Sequence, residues 1–528
     1  MISVKRVILL VGLLGGLACG SVTAQGYADR SVAALSDYFD LLASGNYDIA
    51  PDLWWGPSLK RGTKFGIEFT GIPMKFDCVS PIVRDLDLYR PYLISPVQQV
   101  KELDGRFARL EFNQMIGTNR VIYYYYTYYD GRYFWLVYPQ DCYAQDWSVS
   151  ETKYFRIHRD PLCIPPNQIA LDEADRFVER IVRELEIPKA DFETIAREKI
   201  DYFYCHDDST VMQITGYLVK GMLDQASNDM ISAFFPHYHE LMHLLVNIKL
   251  KKLPYYTQPI MKEGLAVAMG GRWGKEPEAL MELGAFLYLD KIIDFDSLLT
   301  MRFYESSATA DIAYPMTGLF SAYLWERLGP DGYVDVYRVL SGSNFNQVYS
   351  MTINDVKMGI TAVTGDPDWM TLDSLFTEYA REVRITNRGL LPGTTGKGKP
   401  VYEDDKVTIS RDGDWLNFRF SLKPGDSLSG NLLFNHVPEL QNVVSDLFME
   451  QYLDGRAFPG ARYGLRFDRN EAGLYDYATN YLVAKYVFSF SPSDDYINTA
   501  GNVIAMRLKK ELVGDIKFEA EDLQLLNQ

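Results

Sequence analysis

The sequence predicts an α+β protein of several domains, and three observations carry that prediction. The chain has 528 residues, room for roughly two to four domains of ordinary size. Apolar residues make up 47% and charged residues 23%, enough to bury real cores. The apolar periodicity also changes along the chain. A helix and then strands run to about residue 150, a mixed and then almost wholly helical pattern runs to about 388, and alternating strands follow from about 401.

The N-terminus reads as an export signal. Lys5 and Arg6 precede "VILLVGLLGGLA" (Val7 to Ala18), an apolar run too short to span a bilayer as a stable helix. Val22-Thr23-Ala24 before Gln25 offers a small-x-small cleavage site, so residues 1–24 are expected to be a signal peptide. Lipid attachment at Cys19 in "GGLACG" is the rival; it is similar to a bacterial lipobox, but Gly16 stands where such a box usually has leucine. The expected destination is the periplasm, the cell surface or the medium. No later stretch reaches 18 apolar residues, so no transmembrane span is expected. Cys78, Cys142, Cys163 and Cys205 are an even set that can form up to two disulfides or stay as buried thiols, and no CxxC spacing marks a cysteine metal site. The net charge of −17 disfavours a nucleic-acid or anionic-membrane partner, which would want a basic face.

The first domain is expected over residues 26–150. It opens with "SVAALSDYFDLLASG", whose apolar positions recur at three and four. "VIYYYYTYYDGRYFWLVY" (Val121 to Tyr138) then reads as two strands joined at Asp130-Gly131, a strong hairpin signal. Its aromatics suit a half-buried sheet face better than a sugar-stacking platform. A helix followed by a curved antiparallel sheet resembles the cystatin-like α+β roll.

The second domain is expected over residues 151–388. "KYFRIH" and "KIDYFYC" read as strands and "IALDEADRFVERIVRELEI" as an amphipathic helix. "GLLPGTTGKGKP" (389–400) reads as a linker. Residues 401–528, with "WLNFRFSL", "YLVAKYVFSF" and "NVIAMRL", read as a β-rich accessory domain. The lipase-like tetrapeptide "GDSL" (Gly425 to Leu428) lies in a Pro-Gly turn and reads as a turn by composition.

The chemistry concentrates in "FFPHYHELMHLL". The chain has 6 histidines, and His237, His239 and His243 all fall here. "HELMH" is an HExxH pattern: two imidazoles four residues apart lie on one helix face, a turn apart, and can grip one tetrahedral ion. Glu240 points to the edge of such a site, where it can take a proton from water. Pro236 suits the first helical position, and Leu241, Leu244, Leu245 and Ile248 supply an apolar face. Two histidines leave zinc underligated. "PIMKEGLAVAMGG" supplies Glu263, on a second short helical run that ends at Gly-Gly. His237 is expected on another face, as a surface or capping residue, and His206 in a loop.

HExxH followed by a glutamate in "EGLA" resembles the gluzincin metallopeptidases of the thermolysin-like clan, and more narrowly their secreted peptidase-MA-like members. A metzincin would need Gly at 246 and His at 249, where this chain has Val246 and Lys249. The resemblance covers residues 151–388 and implies a zincin-like core, a mixed sheet lobe with an α-helical lobe, holding Zn2+ on His239, His243 and Glu263 with Glu240 as general base. It also implies an edge strand that binds extended peptide, a place "NDMISAFF" would take. It implies a tyrosine near the metal, for which Tyr314 is the candidate; preceding Pro315, it is expected in an extended conformation at a helix entrance. Two departures stand out. The aminopeptidase Gly-x-Met-Glu-Asn signature is missing, so an exopeptidase lacks support. Val267 stands where the thermolysin type has an aspartate, which leaves the group that orients the first histidine unidentified.

The expected function is therefore an exported zinc endopeptidase acting on a peptide or protein substrate. The rivals are a processing factor for one protein partner and a cell-surface binding or scaffold protein with a vestigial zincin domain.

Overall fold

The structure, a computed structural model, describes residues 24–527 apart from 94–98, 273, 387–388, 395–397, 422–428, 438–459, 469–470, 480 and 488–502. The expected signal sequence with Cys19, and the GDSL turn, lie outside the described residues. The fold is mixed α+β with several sheets, and the chain forms two compact units. One comprises Met1–Ser150, Arg156–Cys163 and Glu198–Ala233; the other comprises Glu151–Phe155, Ile164–Arg197 and Phe234–Gln528.

In the first unit, helix α1 (Ala24–Ser44) buries Leu35, Tyr38, Phe39 and Leu42, the three-and-four stripe read from the sequence. A four-stranded antiparallel sheet follows: β1 (Gln99–Glu102), β2 (Phe107–Ile116), β3 (Asn119–Tyr129) and β4 (Phe134–Val137), paired in chain order. The expected hairpin joins β3 to β4, and the Asp130 carboxylate accepts from the amides of Arg132 and Tyr133 and from the Trp135 indole. Burial alternates along β3 as far as exposed Tyr124, and from Tyr125 to Thr127 both faces of the strand are covered.

The same unit holds a five-stranded sheet of β5 (Ser148–Glu151), β6 (Phe155–Arg159), β7 (Ile200–Tyr204), β8 (Gly221–Asp224) and β9 (Asp229–Ser232), in the order β5-β6-β7-β9-β8. Here the structure corrects the sequence reading. "NDMISAFF" supplies β9, which is an inner strand, parallel to β7 and antiparallel to β8. All four of its residues are buried, as befits a strand covered on both faces. The edge belongs to β8, "GMLD", too short for its alternation to register in the sequence.

In the second unit, α2 (Gln168–Glu184) precedes α3 (Tyr238–Leu250) and α4 (Pro259–Gly270). Helices α5 (Pro277–Leu289), α6 (Ser307–Val339, broken at Gly329), α7 (Ile353–Thr364) and α8 (Trp369–Thr386) follow, the helical half expected after Gly270-Gly271. Two five-stranded antiparallel sheets close the chain. One contains β10 (Leu390–Pro392), β11 (Lys399–Glu403), β12 (Val407–Asp412), β13 (Trp415–Ser421) and β18 (Val503–Lys509). The other contains β14 (Gly430–His436), β15 (Ala461–Phe467), β16 (Glu471–Asp476), β17 (Tyr481–Val487) and β19 (Gln524–Asn527). Both sheets feed one core that includes Phe418, Phe420, Phe434, Leu465, Phe467 and Met506, so they form a sandwich. The expected linker starts inside it: Leu390–Pro392 pairs with Met506–Leu508. Cys78, Cys142, Cys163 and Cys205 are buried free thiols. Among the described residues no helix is long and apolar enough to cross a membrane.

Beneath the tyrosine-rich sheet of the first unit, Asp77 accepts hydrogen bonds from the hydroxyls of Tyr38 (2.8 Å) and Tyr125 (3.1 Å). Burial outweighs those two bonds and raises the Asp77 carboxyl to about 7. The folded chain therefore holds a proton that the unfolded chain has released, from about pH 4 up to about pH 7. Stability contributed by the neutral carboxyl is lost as pH rises through that window. Asp77→Asn should flatten the loss: in urea unfolding at about pH 4 and about pH 8, wild type should lose at least about 1 kcal/mol more than the variant.

Candidate metal centre

Helix α3 carries both histidines of the HExxH pattern and is buried almost all round; Tyr238, Met242, Val246 and Asn247 are covered as well as the expected leucine face. It starts at Tyr238, not at Pro236. The reason lies in the C-terminal sandwich. The Tyr481 hydroxyl donates to the Pro236 carbonyl (3.2 Å) and accepts from the Tyr238 amide (3.3 Å). One of the orphan N–H groups of the first turn is thereby satisfied, and Pro236 is held before the helix. The Tyr238 ring is sandwiched between Phe177 of α2 and Tyr481, at centroid distances of 4.4 and 4.9 Å.

One turn of helix separates the rings of His239 and His243, whose centroids are 4.9 Å apart. Helix α4 brings Glu263 to both. Its Oε2 lies 3.1 Å from His239 Nε2 and 3.5 Å from His243 Nε2. These separations match the edges of a tetrahedron around an ion with bonds of about 2.0–2.1 Å, roughly 3.3 Å. Such close packing of α4 depends on Gly270, where a Cβ would stand 2.7 Å from the Tyr238 carbonyl oxygen.

The remaining ring nitrogen of His239 fixes its tautomer. Nδ1 lies 2.9 Å from the carbonyl oxygen of Gly271. A carbonyl can only accept, so Nδ1 carries the proton and Nε2 keeps its lone pair. Gly271 caps α4 with φ 70° and ψ −163°, a backbone shape close to glycine's exclusive territory. Its carbonyl takes the orienting role that a side chain at Val267 could not.

The charge states suit a cation. Burial lowers His239 and takes His237 down to about 3, so both rings are neutral near pH 7. Burial acts to raise the Glu263 carboxyl, but His243 and His239 pull it well below the ordinary range, and it stays ionised. Burial likewise acts to raise Glu240, and His243, His239 and His237 together pull it down. A neutral imidazole at His239 and an ionised carboxylate at Glu263 thus lie 3.1 Å apart.

His239, Glu240 and His243 also form a cluster in which one ligand atom of each lies within 4.8 Å of the others, and which could hold a metal ion. Glu263, the third ligand expected from the sequence, is not part of that cluster. Its oxygen touches both imidazoles from a separate helix, whereas Glu240 is rotated about 100° from His239 on the same helix. Glu240 is half-buried at the margin, where a proton acceptor is useful.

Other expectations are corrected. His237 is a buried residue packed on Phe234 at 4.2 Å, not a surface one, and it makes no side-chain cap. His206 is exposed in the bend after β7, as expected of a loop. Tyr314 is not extended at a helix entrance: it lies inside α6, because burial of Met316, Leu319, Phe320 and Leu324 outweighs the local preference imposed by Pro315. Its ring is nevertheless 6.2 Å from that of His239. Sequence reasoning missed Arg272, whose Nη1 is 3.0 Å from His239 Nε2 and whose guanidinium covers the Tyr314 ring at 3.5 Å. Its position directly after Gly270-Gly271 was the one cue available.

No protein-family model and no curated protein matches the chain. The reading of the centre therefore rests on its own geometry.

Gly271→Ala tests the orienting carbonyl. A Cβ there would run into the Lys275 carbonyl and force a disfavoured φ. The variant should lose about 1–3 kcal/mol in thermal or urea melts. Its affinity for added zinc should fall by about 10- to 100-fold.

Proposed function

We propose that this chain is an exported zinc-dependent peptidase, and an endopeptidase by the absence of an amine-reading signature. The observation that carries the reading is the approach of Glu263 Oε2 to both His239 Nε2 and His243 Nε2, at 3.1 and 3.5 Å, with His239 locked in the ligand tautomer. On this reading residues 151–388 form a zincin-like core and residues 26–150 a cystatin-like roll.

His239, His243 and Glu263 would hold the ion. Zinc supplies Lewis acidity toward a scissile carbonyl and lowers the pKa of water. Glu240, ionised and half-buried, takes the proton of the attacking water and returns it to the leaving amine. Tyr314 donates a hydrogen bond to the oxygen on which charge develops, steadied by its place inside α6.

A second reading has one observation in its favour. The guanidinium of Arg272 donates to His239 Nε2, and a fixed cation there would suit a scaffold that has given up the metal. Retention of Glu240 beside the ligands favours the enzyme.

Metal content and cleavage of a casein-type substrate separate the two. Glu240→Gln should keep about one zinc per chain and lose cleavage, whereas His243→Ala should lose the zinc. A wild-type protein that neither takes up zinc nor cuts the substrate would support the scaffold. Tyr314→Phe should keep the metal and slow turnover by about two orders of magnitude, and an unchanged rate would remove it from the mechanism.

A further inference from the structure

Arg272 bears directly on how the centre takes its ion. It follows Gly271, whose carbonyl receives the Nδ1 proton of His239. Its own Nη1 is 3.0 Å from His239 Nε2 and 3.8 Å from Glu263 Oε2. The Nε2 lone pair is therefore engaged by an N–H of the arginine. Its two separations from the ligand atoms bracket the edge length, roughly 3.3 Å, expected between corners of a zinc tetrahedron. By these two distances, Nη1 stands beside two of the proposed ligand atoms, as a further ligand would.

A guanidinium cannot be that ligand. It carries five N–H donors, remains protonated in proteins and has no acceptor to offer a metal. Nor can it stay where it is beside a dication, since one lone pair on Nε2 serves one partner and the two positive charges repel across a half-buried pocket. The Tyr314 ring, 3.5 Å from the guanidinium carbon, holds the arginine beside the ligand set by a cation–π contact, so the competing group never leaves the neighbourhood.

We propose that Arg272 is an intramolecular competitor of the metal ion and sets the affinity of the centre. The inference rests on the metal-centre reading given above. The ion binds the fraction of molecules in which Arg272 has released His239 Nε2, and its apparent affinity is reduced by that fraction. Arg272 also supplies the positive charge that relieves the encounter of the Nε2 lone pair with the Glu263 carboxylate. Removing it should thus weaken the protein without metal and strengthen its grip on metal, two effects of opposite sign that a purely structural arginine would not produce.

The experiment is a zinc titration of the full chain against a chromophoric chelator of known affinity, using Zn2+ alone, for wild type, Arg272→Met and Arg272→Lys. Arg272→Met should bind zinc at least about tenfold more tightly than wild type, with Arg272→Lys between them because it keeps the charge but loses the planar fork. In thermal melts, Arg272→Met should be less stable than wild type under chelator and should gain more from excess zinc. Equal or weaker zinc binding by Arg272→Met, with wild type binding one zinc, overturns the competitor and leaves the metal centre standing. Zinc binding by neither protein overturns both. If Arg272→Met fails to fold under chelator, Arg272→Lys decides: tighter binding than wild type supports the competitor, and no change overturns it.

Discussion

The hydrogen bond from His239 to the Gly271 carbonyl is the contact on which the candidate centre depends. It settles which nitrogen carries the proton, and hence that Nε2 faces Glu263 as an electron pair. Without it, the proton could sit on Nε2 and form an ordinary hydrogen bond with the carboxylate, leaving no lone pair there for a metal. Two features of α4 make the bond available. Gly270 lets the helix come close to the start of α3, and Gly271 turns the chain so that its carbonyl points back at the ring. The two glycines that read as a helix stop are also the means by which the second helix reaches the first.

Beyond that bond, the centre is assembled from widely separated stretches. Tyr481 of β17 brackets the start of α3. The next residue, Leu482, exchanges backbone hydrogen bonds with the loop after Gly271, accepting from the Glu276 amide and donating to the Gly274 carbonyl. Asn167, just before α2, donates to the Ala478 carbonyl, and Arg462 of β15 reaches Glu173 of α2. One lip of the sandwich thus grips the helix, the loop and the supporting helix at once.

Much of this was legible in the residues, and the limits have physical causes. HExxH and the glutamate of "EGLA" were readable because helical spacing fixes which side chains share a face. The hairpin at Asp130-Gly131 and the strands of the sandwich were readable because alternation and turn chemistry are local. What escaped was set by distant partners. Nothing near Pro236 announces that Tyr481 will delay the helix, and nothing near Val267 announces that a backbone carbonyl will replace a side-chain acceptor. The order of β8 and β9 escaped because a four-residue strand carries too little pattern. Tyr314 lies inside its helix because burial of the stripe from Met316 to Leu324 overrides the extended preference that Pro315 imposes on the residue before it. Arg272 went unseen because an arginine after a helix stop looks like any solvated charge.

The grip of Tyr481 on Pro236 and Tyr238 has a bearing on what counts as a domain here. A fragment ending near residue 388 would possess every side chain of the candidate centre and still lack the hydroxyl that seats the first turn of its helix. In this chain the stretch that contains the chemistry ends well short of the last contact made to the helix that carries it.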